Sequence, residues 1–294
     1  MSNALLAGTA DPTTVAATQR SIARELGVVP TFDPFREIER RVAFLADALT
    51  DTGRTALVLG ISGGVDSAAA GRLCQLAVER ARHGGNPAAF TAMRLPYGEQ
   101  RDEQDARAAL AFIRPDRVLT VDIRPASDAS LHMLLGSGLV LRDAHQQDFV
   151  LGNIKARQRM VAQYAVAGAI GGLVVGTDHA AEAVTGFFTK HGDGAADLVP
   201  LAGLTKRRVR AVAHALGVPA SLIHKTPTAD IESLHPGKPD EEVLGFSYDD
   251  IDDFLEGRPV RQAVARAVHH RYENTAHKRR PAAAPAAPAG EPRP

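Results

Sequence analysis

Three features of the chain predict a doubly wound parallel α/β sheet with helices on both faces. Short apolar segments alternate with helical patterns between residues 56 and 176. The first of these segments is apolar throughout, as a strand buried on both faces must be. That segment ends in glycines and leads directly into a helical stretch, the usual form of a ligand-binding turn in such sheets.

The elements follow in order. The N-terminal stretch reads as helical. Asp33-Pro34 then marks a helix start, a capping carboxylate followed by proline at the first helical position. Phe35, Ile38, Val42, Leu45 and Leu49 form an apolar stripe at helical spacing that ends before Thr52-Gly53. Ala56–Ile61 reads as a buried parallel strand, and a helix is expected from Asp66 to about Arg82. Phe90–Leu95 is a second strand, Asp102–Ile113 a helix and Val118–Ile123 a third strand. A long helix is expected over Phe149–Ala169, followed by a strand at Leu173–Gly176. Further helices fit Lys206–Leu216 and Tyr248–Glu256. Val260, Val264, Val268 and Tyr272 mark one face of a last helix.

Composition narrows the class. At 45% hydrophobic residues, 294 residues suffice for a sizeable core. Residues 1–280 read as one domain, and the Pro/Ala-rich stretch 281–294 as a disordered tail. The basic run Lys278-Arg279-Arg280 before it reads, taken alone, as a solvated helix end. Thirty-four basic residues balance thirty-four acidic ones, which argues against nucleic acid as a partner. A single cysteine, Cys74, forms no internal disulfide and fits a reducing cytoplasm; it is expected to be buried. The N-terminus shows no secretory signal. The uncharged run Met160–Thr177 is about long enough for a membrane span. Gln163, Tyr164 and Gly171-Gly172 make it a buried helix followed by a strand instead.

The most informative stretch is Gly60-Ile61-Ser62-Gly63-Gly64-Val65-Asp66-Ser67. Its glycines let backbone N–H groups turn toward an anion, its serines add hydroxyl donors, and the following helix adds a favourable dipole. Asp66 is wrong for a bare phosphate but right for a Mg²⁺ held between it and phosphates. No GxxxxGK[ST] or GxGxxG pattern occurs here. The SGGxDS pattern resembles the loop of the ATP pyrophosphatases, which cleave ATP between the α and β phosphates and adenylate a substrate.

Gly176–Glu182, Thr185–Lys190 and Gly192–Leu198 together resemble the signature of NAD synthetases. So do Arg94–Gly98, Gly152–Arg157, Gly203–Lys206, Pro227–Asp230 and His277–Arg279. The resemblance spans about residues 20–280 and omits the tail. It implies a fold of the adenine nucleotide alpha hydrolase type, a homodimer, and amidation of deamido-NAD to NAD with ATP and ammonia. It also implies roles, position by position. Gly60 to Ser67 would cradle ATP, with Thr177, Lys206 and Thr228 as further ATP contacts. Asp66 and Glu182 would hold magnesium. Arg157, Lys190, Asp197, His277 and Lys278 would contact deamido-NAD, and Asp193 would lie near the ammonia. Asp66, Lys206 and Asp193 are thus the candidate catalytic residues. Val65 departs from the polar residue of many relatives, but alters a side chain rather than the backbone cradle.

Some of these positions have plainer readings. Asp193 and Asp197 lie in a glycine-rich loop where aspartate is a common turn residue, and Arg157 shares its helix with Lys155 and Arg159. Glutamine-dependent relatives carry a separate amidase domain with a catalytic cysteine. Only about 60 residues precede the loop here, at the small end of the domain range, so ammonia is read as the direct nitrogen source. A glutaminase acting in trans stays open. Two rivals also stay open: another enzyme of the same loop group, amidating or thiolating a different substrate, and a non-catalytic sensor of ATP or NAD. Pro96–Asp102 and Ala229–Glu241 read as loops that close over the site.

Overall fold

A computed structural model describes residues 12–98, 102–228, 234 and 237–285. Helices α1 (Pro12–Glu25) and α2 (Pro34–Thr52) precede strand β1 (Ala56–Gly60), helix α3 (Val65–His83) and strand β2 (Ala89–Arg94). Then come α4 (Glu103–Ile113), β3 (Arg117–Thr120), α5 (Arg124–Gly136), α6 (Ala144–Ile170) and β4 (Gly172–Val174). Helices α7 (Ala180–Thr185), α8 (Lys206–Leu216), α9 (Ala220–Ile223), α10 (Asp240–Leu244), α11 (Tyr248–Leu255), α12 (Gln262–Asn274) and α13 (Ala276–Arg279) complete the described chain. No described helix is long and apolar enough to cross a membrane.

The strands pair in the order β3-β2-β1-β4, all parallel. Period-two alternation divides β1 between two apolar layers. Leu57 and Leu59 point into a cluster shared with α2, α3 and α8, whereas Val58 joins Met93, Ala167 and Val174 on the α6 side. Both faces of the sheet are therefore covered, which explains the absence of polar residues in β1. A third cluster joins α1, α7, α11 and α12 through Ile22, Val184, Ile251, Phe254 and Val268.

Local chemistry sets most element ends. Asp33 caps α2 by accepting from the Arg36 N–H at 2.9 Å, and Gly53 closes it in the left-handed region at φ 64°. Val42, Leu45 and Leu49 of the expected stripe are buried, but Phe35 at its start is 66% exposed. Cys74 is buried in α3 as expected.

The expected elements differ from the structure in several places. Helix α5 was not anticipated; β3 ends at Thr120, the Ile123 N–H donates to the Pro96 carbonyl, and the Ile123 carbonyl then accepts the first helical bond from Ser127, with Pro125 in the first turn. Helix α6 starts at Ala144 rather than Phe149, because Asp143 accepts from the Gln146 N–H at 2.8 Å and moves the cap upstream. The final strand is shorter than expected, Gly172–Val174, and the last helix breaks at Thr275 into α12 and α13. Residues 286–294 of the Pro/Ala stretch lie outside the described residues.

Helix α4 ends on Arg114, a non-glycine residue at φ 55°. A side chain in the left-handed region costs roughly 1–2 kcal/mol, partly offset by the greater freedom of glycine when unfolded. Arg114→Gly is expected to raise stability by about 0.5–1 kcal/mol, seen as a Tm increase of roughly 2 °C in calorimetry. No change, or a loss, would show that the arginine side chain stabilises more than the conformation costs.

Candidate active site

The chain order places the site. From β1 it winds outward through β2 to β3, then returns through α5 and α6 to β4 on the other side of β1. The carboxyl ends of β1 and β4 thus flank the switch point, where open α/β sheets bind ligands. The two strands part there. The Val174 carbonyl accepts from the Asp197 and Leu198 N–H groups, while the Gly60 N–H donates to Gln163 Oε1 on α6 at 2.8 Å.

The glycine-rich loop Gly60–Ser67, expected to bind phosphate, occupies this opening. Gly60 ends β1, Ile61 and Val65 are buried apolar anchors, and α3 begins at Val65. The burial of Val65 explains why a hydrophobic residue is accommodated there. Ser67 Oγ donates to the Gly64 carbonyl at 3.1 Å, and Ser62 Oγ lies 3.2 Å from Ser67 Oγ. Gly63 has φ 86°, and a Cβ on it would lie 2.6 Å from the Ala106 backbone nitrogen. The loop is thus pressed against the start of α4 in a conformation that only glycine adopts without strain.

Asp66, in the first turn of α3, faces residues from two other segments. Lys206 Nζ, from the first turn of α8, donates to Asp66 Oδ2 at 2.7 Å. His179 Nε2 lies 3.6 Å from both Asp66 Oδ1 and Glu182 Oε1. Ligand atoms of Asp66, His179 and Glu182 all fall within 4.8 Å of one another. Thr205 caps α8, and the Lys206 and Arg207 N–H groups donate to the two oxygens of Asp252 at 2.9 and 2.6 Å.

Charges in this cluster act on one another at close range. Burial works to raise Asp66, but the neighbouring Lys206 ammonium, His179 and hydrogen bonds together hold the carboxyl below its usual value. Burial likewise opposes the Lys206 charge, but Asp66, with Glu182 and Asp240, more than offsets it, so the ammonium is firmly held. Glu182 is pushed well above the usual range by burial and then by Asp66. Burial first, and Lys206 second, push His179 down to about 3, so its ring is neutral. His179 Nδ1 accepts from the Glu182 N–H at 3.4 Å, which assigns the ring proton to Nε2.

The set fits magnesium. Two carboxylates supply hard oxygen donors, and Asp66 Oδ1 is buried without a hydrogen-bond partner in the described structure. His179 presents a proton to this space and so reads as a support for Glu182 rather than a ligand.

A second acidic pair lies nearby. Burial, and then Asp193, push Asp178 up to about 7; burial also raises Asp193, whose Oδ1 accepts from the Thr189 N–H at 2.9 Å. An acid raised above its unfolded value favours the fold at low pH. That contribution is present below about pH 4 and is lost as pH rises through about 7. Asp178→Asn should therefore match the parent protein at pH 4 and exceed its Tm at pH 8 by roughly 5 °C. Equal Tm values at pH 8 would show that Asp178 ionises without cost.

The remaining candidate residues divide into groups. Thr177 is half-buried between β4 and α7, beside this cluster in sequence. Arg157 Nε of α6 donates to the Lys190 carbonyl at 3.3 Å, which brings those two candidates together. Asp197 Oδ2 accepts from the Val174 N–H at 2.7 Å, and Tyr164 donates to its Oδ1 at 3.5 Å. His277 is exposed on α13. The described contacts of Thr228 are with Pro239 rather than with the loop.

The basic run is not a solvated helix end. Lys278 Nζ donates to the Gly186 and Phe188 carbonyls at 2.8 and 2.7 Å, and Arg279 donates to the Ala183 carbonyl at 2.9 Å. These cations satisfy carbonyls at and beyond the end of α7, where the helix dipole favours them. Gly186 is required there, because a Cβ would lie 2.3 Å from Thr275.

The two loops expected to close over the site are only partly described; 99–101, 229–233 and 235–236 lie outside the described residues. Their described flanks are tied, since Lys225 Nζ lies 2.5 Å from Asp102 Oδ2 and 2.7 Å from Asp105 Oδ2.

Sequence reasoning gave no role to His179, although it stands inside a quoted motif. It also missed Tyr248, whose hydroxyl donates to Asp240 Oδ2 at 2.9 Å beside the cluster. Gln163 was visible only as a polar residue in an apolar run, and nothing local shows that it reaches Gly60.

A glycine-rich anion cradle at a strand switch point, with two carboxylates and a lysine converging on its first helical turn, defines a nucleotide-dependent α/β enzyme. Comparison with known proteins narrows the class. Residues 37–282 match the family model described as NAD synthase. An NH(3)-dependent NAD(+) synthetase of Streptomyces coelicolor is 69% identical over 94% of this chain and 99% of its own length. A crystal structure of NAD+ synthetase from Burkholderia pseudomallei is 61% identical, with a TM-score of 0.80 over 90% of this chain and 97% of that one. A structure of NMN synthetase from Francisella tularensis is 32% identical, with a TM-score of 0.75 over 87% of this chain and 99% of that one. The chain belongs to the NAD synthase family.

Proposed function

We infer that the chain converts deamido-NAD to NAD with ammonia, consuming ATP and releasing AMP and pyrophosphate. The observation that carries this reading is the convergence of Asp66, Glu182 and Lys206 on the phosphate loop in a chain of this family. A carboxylate does not react with ammonia near neutral pH, so it must first be activated. The nicotinate carboxylate attacks the α-phosphorus, the bond to the bridging oxygen breaks, and pyrophosphate leaves. Ammonia then attacks the acyl carbon of the adenylated dinucleotide, sheds a proton, and AMP leaves.

The residues divide this work. The N–H and hydroxyl donors of Gly60–Ser67, with Thr177 and Thr228, bind and orient ATP. Lys206 stabilises charge developing on the departing pyrophosphate. Asp66 and Glu182 would hold magnesium, which when bound neutralises phosphate charge. Arg157, Lys190, Asp197, His277 and Lys278 bind deamido-NAD. Asp193, beside Asp178, would take the proton that ammonia sheds. Residues 1–280 act as one synthetase domain.

We also assign a homodimer. Met133, Leu135, Val140, Phe149 and Val161 leave an apolar surface along α5, its following turn and α6, with Val140 88% and Phe149 62% exposed. Sedimentation of the parent protein at twice the monomer mass, and at monomer mass for Val161→Glu, would support this assignment. A monomeric parent protein would remove it.

The function is tested by supplying ATP, Mg²⁺ and deamido-NAD with either ammonium or glutamine, following NAD and pyrophosphate together. Both products with ammonium alone support the reading. Neither product overturns it, and pyrophosphate without NAD leaves activation correct and the nitrogen donor wrong. The similarity to an NMN synthetase adds one arm, in which nicotinate mononucleotide replaces deamido-NAD. Faster amidation of the mononucleotide would transfer the assignment to that substrate.

A further inference from the structure

We propose that Lys206, held on Asp66 Oδ2, keeps a metal ion off the adjoining Oδ1 in the nucleotide-free protein, and that nucleotide binding exchanges one cation for the other. This rests on the magnesium site read above from Asp66 and Glu182.

The Lys206 ammonium is buried yet poorly satisfied. It has three N–H donors and, among the described residues, hydrogen-bonds one carboxylate oxygen, Asp66 Oδ2 at 2.7 Å. A further polar neighbour among the described residues is His179 Nε2 at 3.4 Å, a nitrogen that carries its own proton in the assigned tautomer. The Tyr248 ring lies below it, with its centroid 5.1 Å from Nζ. A divalent ion bound to Asp66 would sit about 2 Å from the same carboxylate and so within a few ångströms of Nζ. Two cations at that separation, away from bulk water, repel strongly, and one must leave.

The backbone cannot make room. The Lys206 and Arg207 N–H groups are both held by Asp252, and Thr205 Oγ1 donates to Glu256 at 2.9 Å. Only the lysine side-chain torsions can move. The phosphate loop, Gly60–Ser67, contains Asp66 itself, so a triphosphate in it offers Nζ several new acceptors within reach of that swing. Metal and nucleotide binding are therefore coupled through one side chain: without nucleotide the lysine excludes the ion, and with nucleotide it moves to phosphate and frees Asp66.

Mn²⁺ is the probe, its free concentration read by electron paramagnetic resonance with no nucleotide and no turnover. The parent protein should bind Mn²⁺ weakly. Lys206→Met and Lys206→Gln should each bind it at least tenfold more tightly, and adding Asp66→Asn should remove the gain. Equal affinities in the parent and in folded lysine variants would overturn the proposal. If neither variant folds, crystals of the unmodified protein soaked in MnCl₂ decide it by anomalous scattering. No manganese at Asp66 without nucleotide, and manganese with Lys206 withdrawn in the presence of α,β-methylene-ATP, is the expected result. Manganese beside an unmoved Lys206 in either state overturns it. These readouts require no amidation, so failure of the substrate assignment alone would leave them unchanged.

Discussion

Replacing Asp66 with asparagine should abolish NAD and pyrophosphate formation together, by a factor on the order of 10³ or more, since it removes a carboxylate that would hold the magnesium neutralising the reacting phosphates. The joint loss is the diagnostic part. Pyrophosphate leaves in the first half-reaction, so a residue that acts there must stop both products. The variant should also be less stable. Lys206 is buried on Asp66 Oδ2 at 2.7 Å, and removing one partner of a buried pair costs about 3–5 kcal/mol because the other charge is stranded. Coupled product assays and thermal unfolding check the two effects separately. Retained pyrophosphate release would move Asp66 out of the activation step.

Gly63→Ala is the second large effect, and it acts through space rather than charge. At φ 86°, an added methyl group meets the Ala106 nitrogen at 2.6 Å and the Asp105 carbonyl carbon at 2.9 Å. Both are backbone atoms at the start of α4 and cannot turn aside as a side chain could. The loop must move, which misaligns the N–H donors that would bind phosphate. The KM for ATP should rise at least tenfold, with the overall fold retained by circular dichroism and a left-handed strain of roughly 1–2 kcal/mol visible in Tm. An unchanged KM would mean that the cradle tolerates displacement from α4.

These two positions were legible in the chain for different reasons. Asp66 stands out because a carboxylate in an anion-binding loop needs a cation to explain it. Gly63 stands out because consecutive glycines after an apolar strand imply unusual backbone torsions. The alternation of short apolar strands and helices was equally plain, because burial on both faces leaves no room for polar residues in β1. Helix α5 was not legible. Its sequence lacks a side-chain cap, and it exists because edge strand β3 ends early and the chain must turn back across the sheet.

What the linear chain holds is local: which segments are apolar, where a cap or glycine ends a helix, and which residue types gather around the loop. The partners of the site lie far apart in that chain. Lys206 is 140 residues from Asp66, Gln163 is 103 residues from Gly60, and Lys278 is 92 residues from Gly186. Periodicity carries no information about such pairs, because they arise when β4 returns to pair with β1 and the later helices fold back. His179 and Lys278 show the consequence. One is a neutral ring between two carboxylates and a lysine, the other a cation seated on helix-end carbonyls, and both environments exist only once the strands have opened at the switch point and the C-terminal helices have closed beside it.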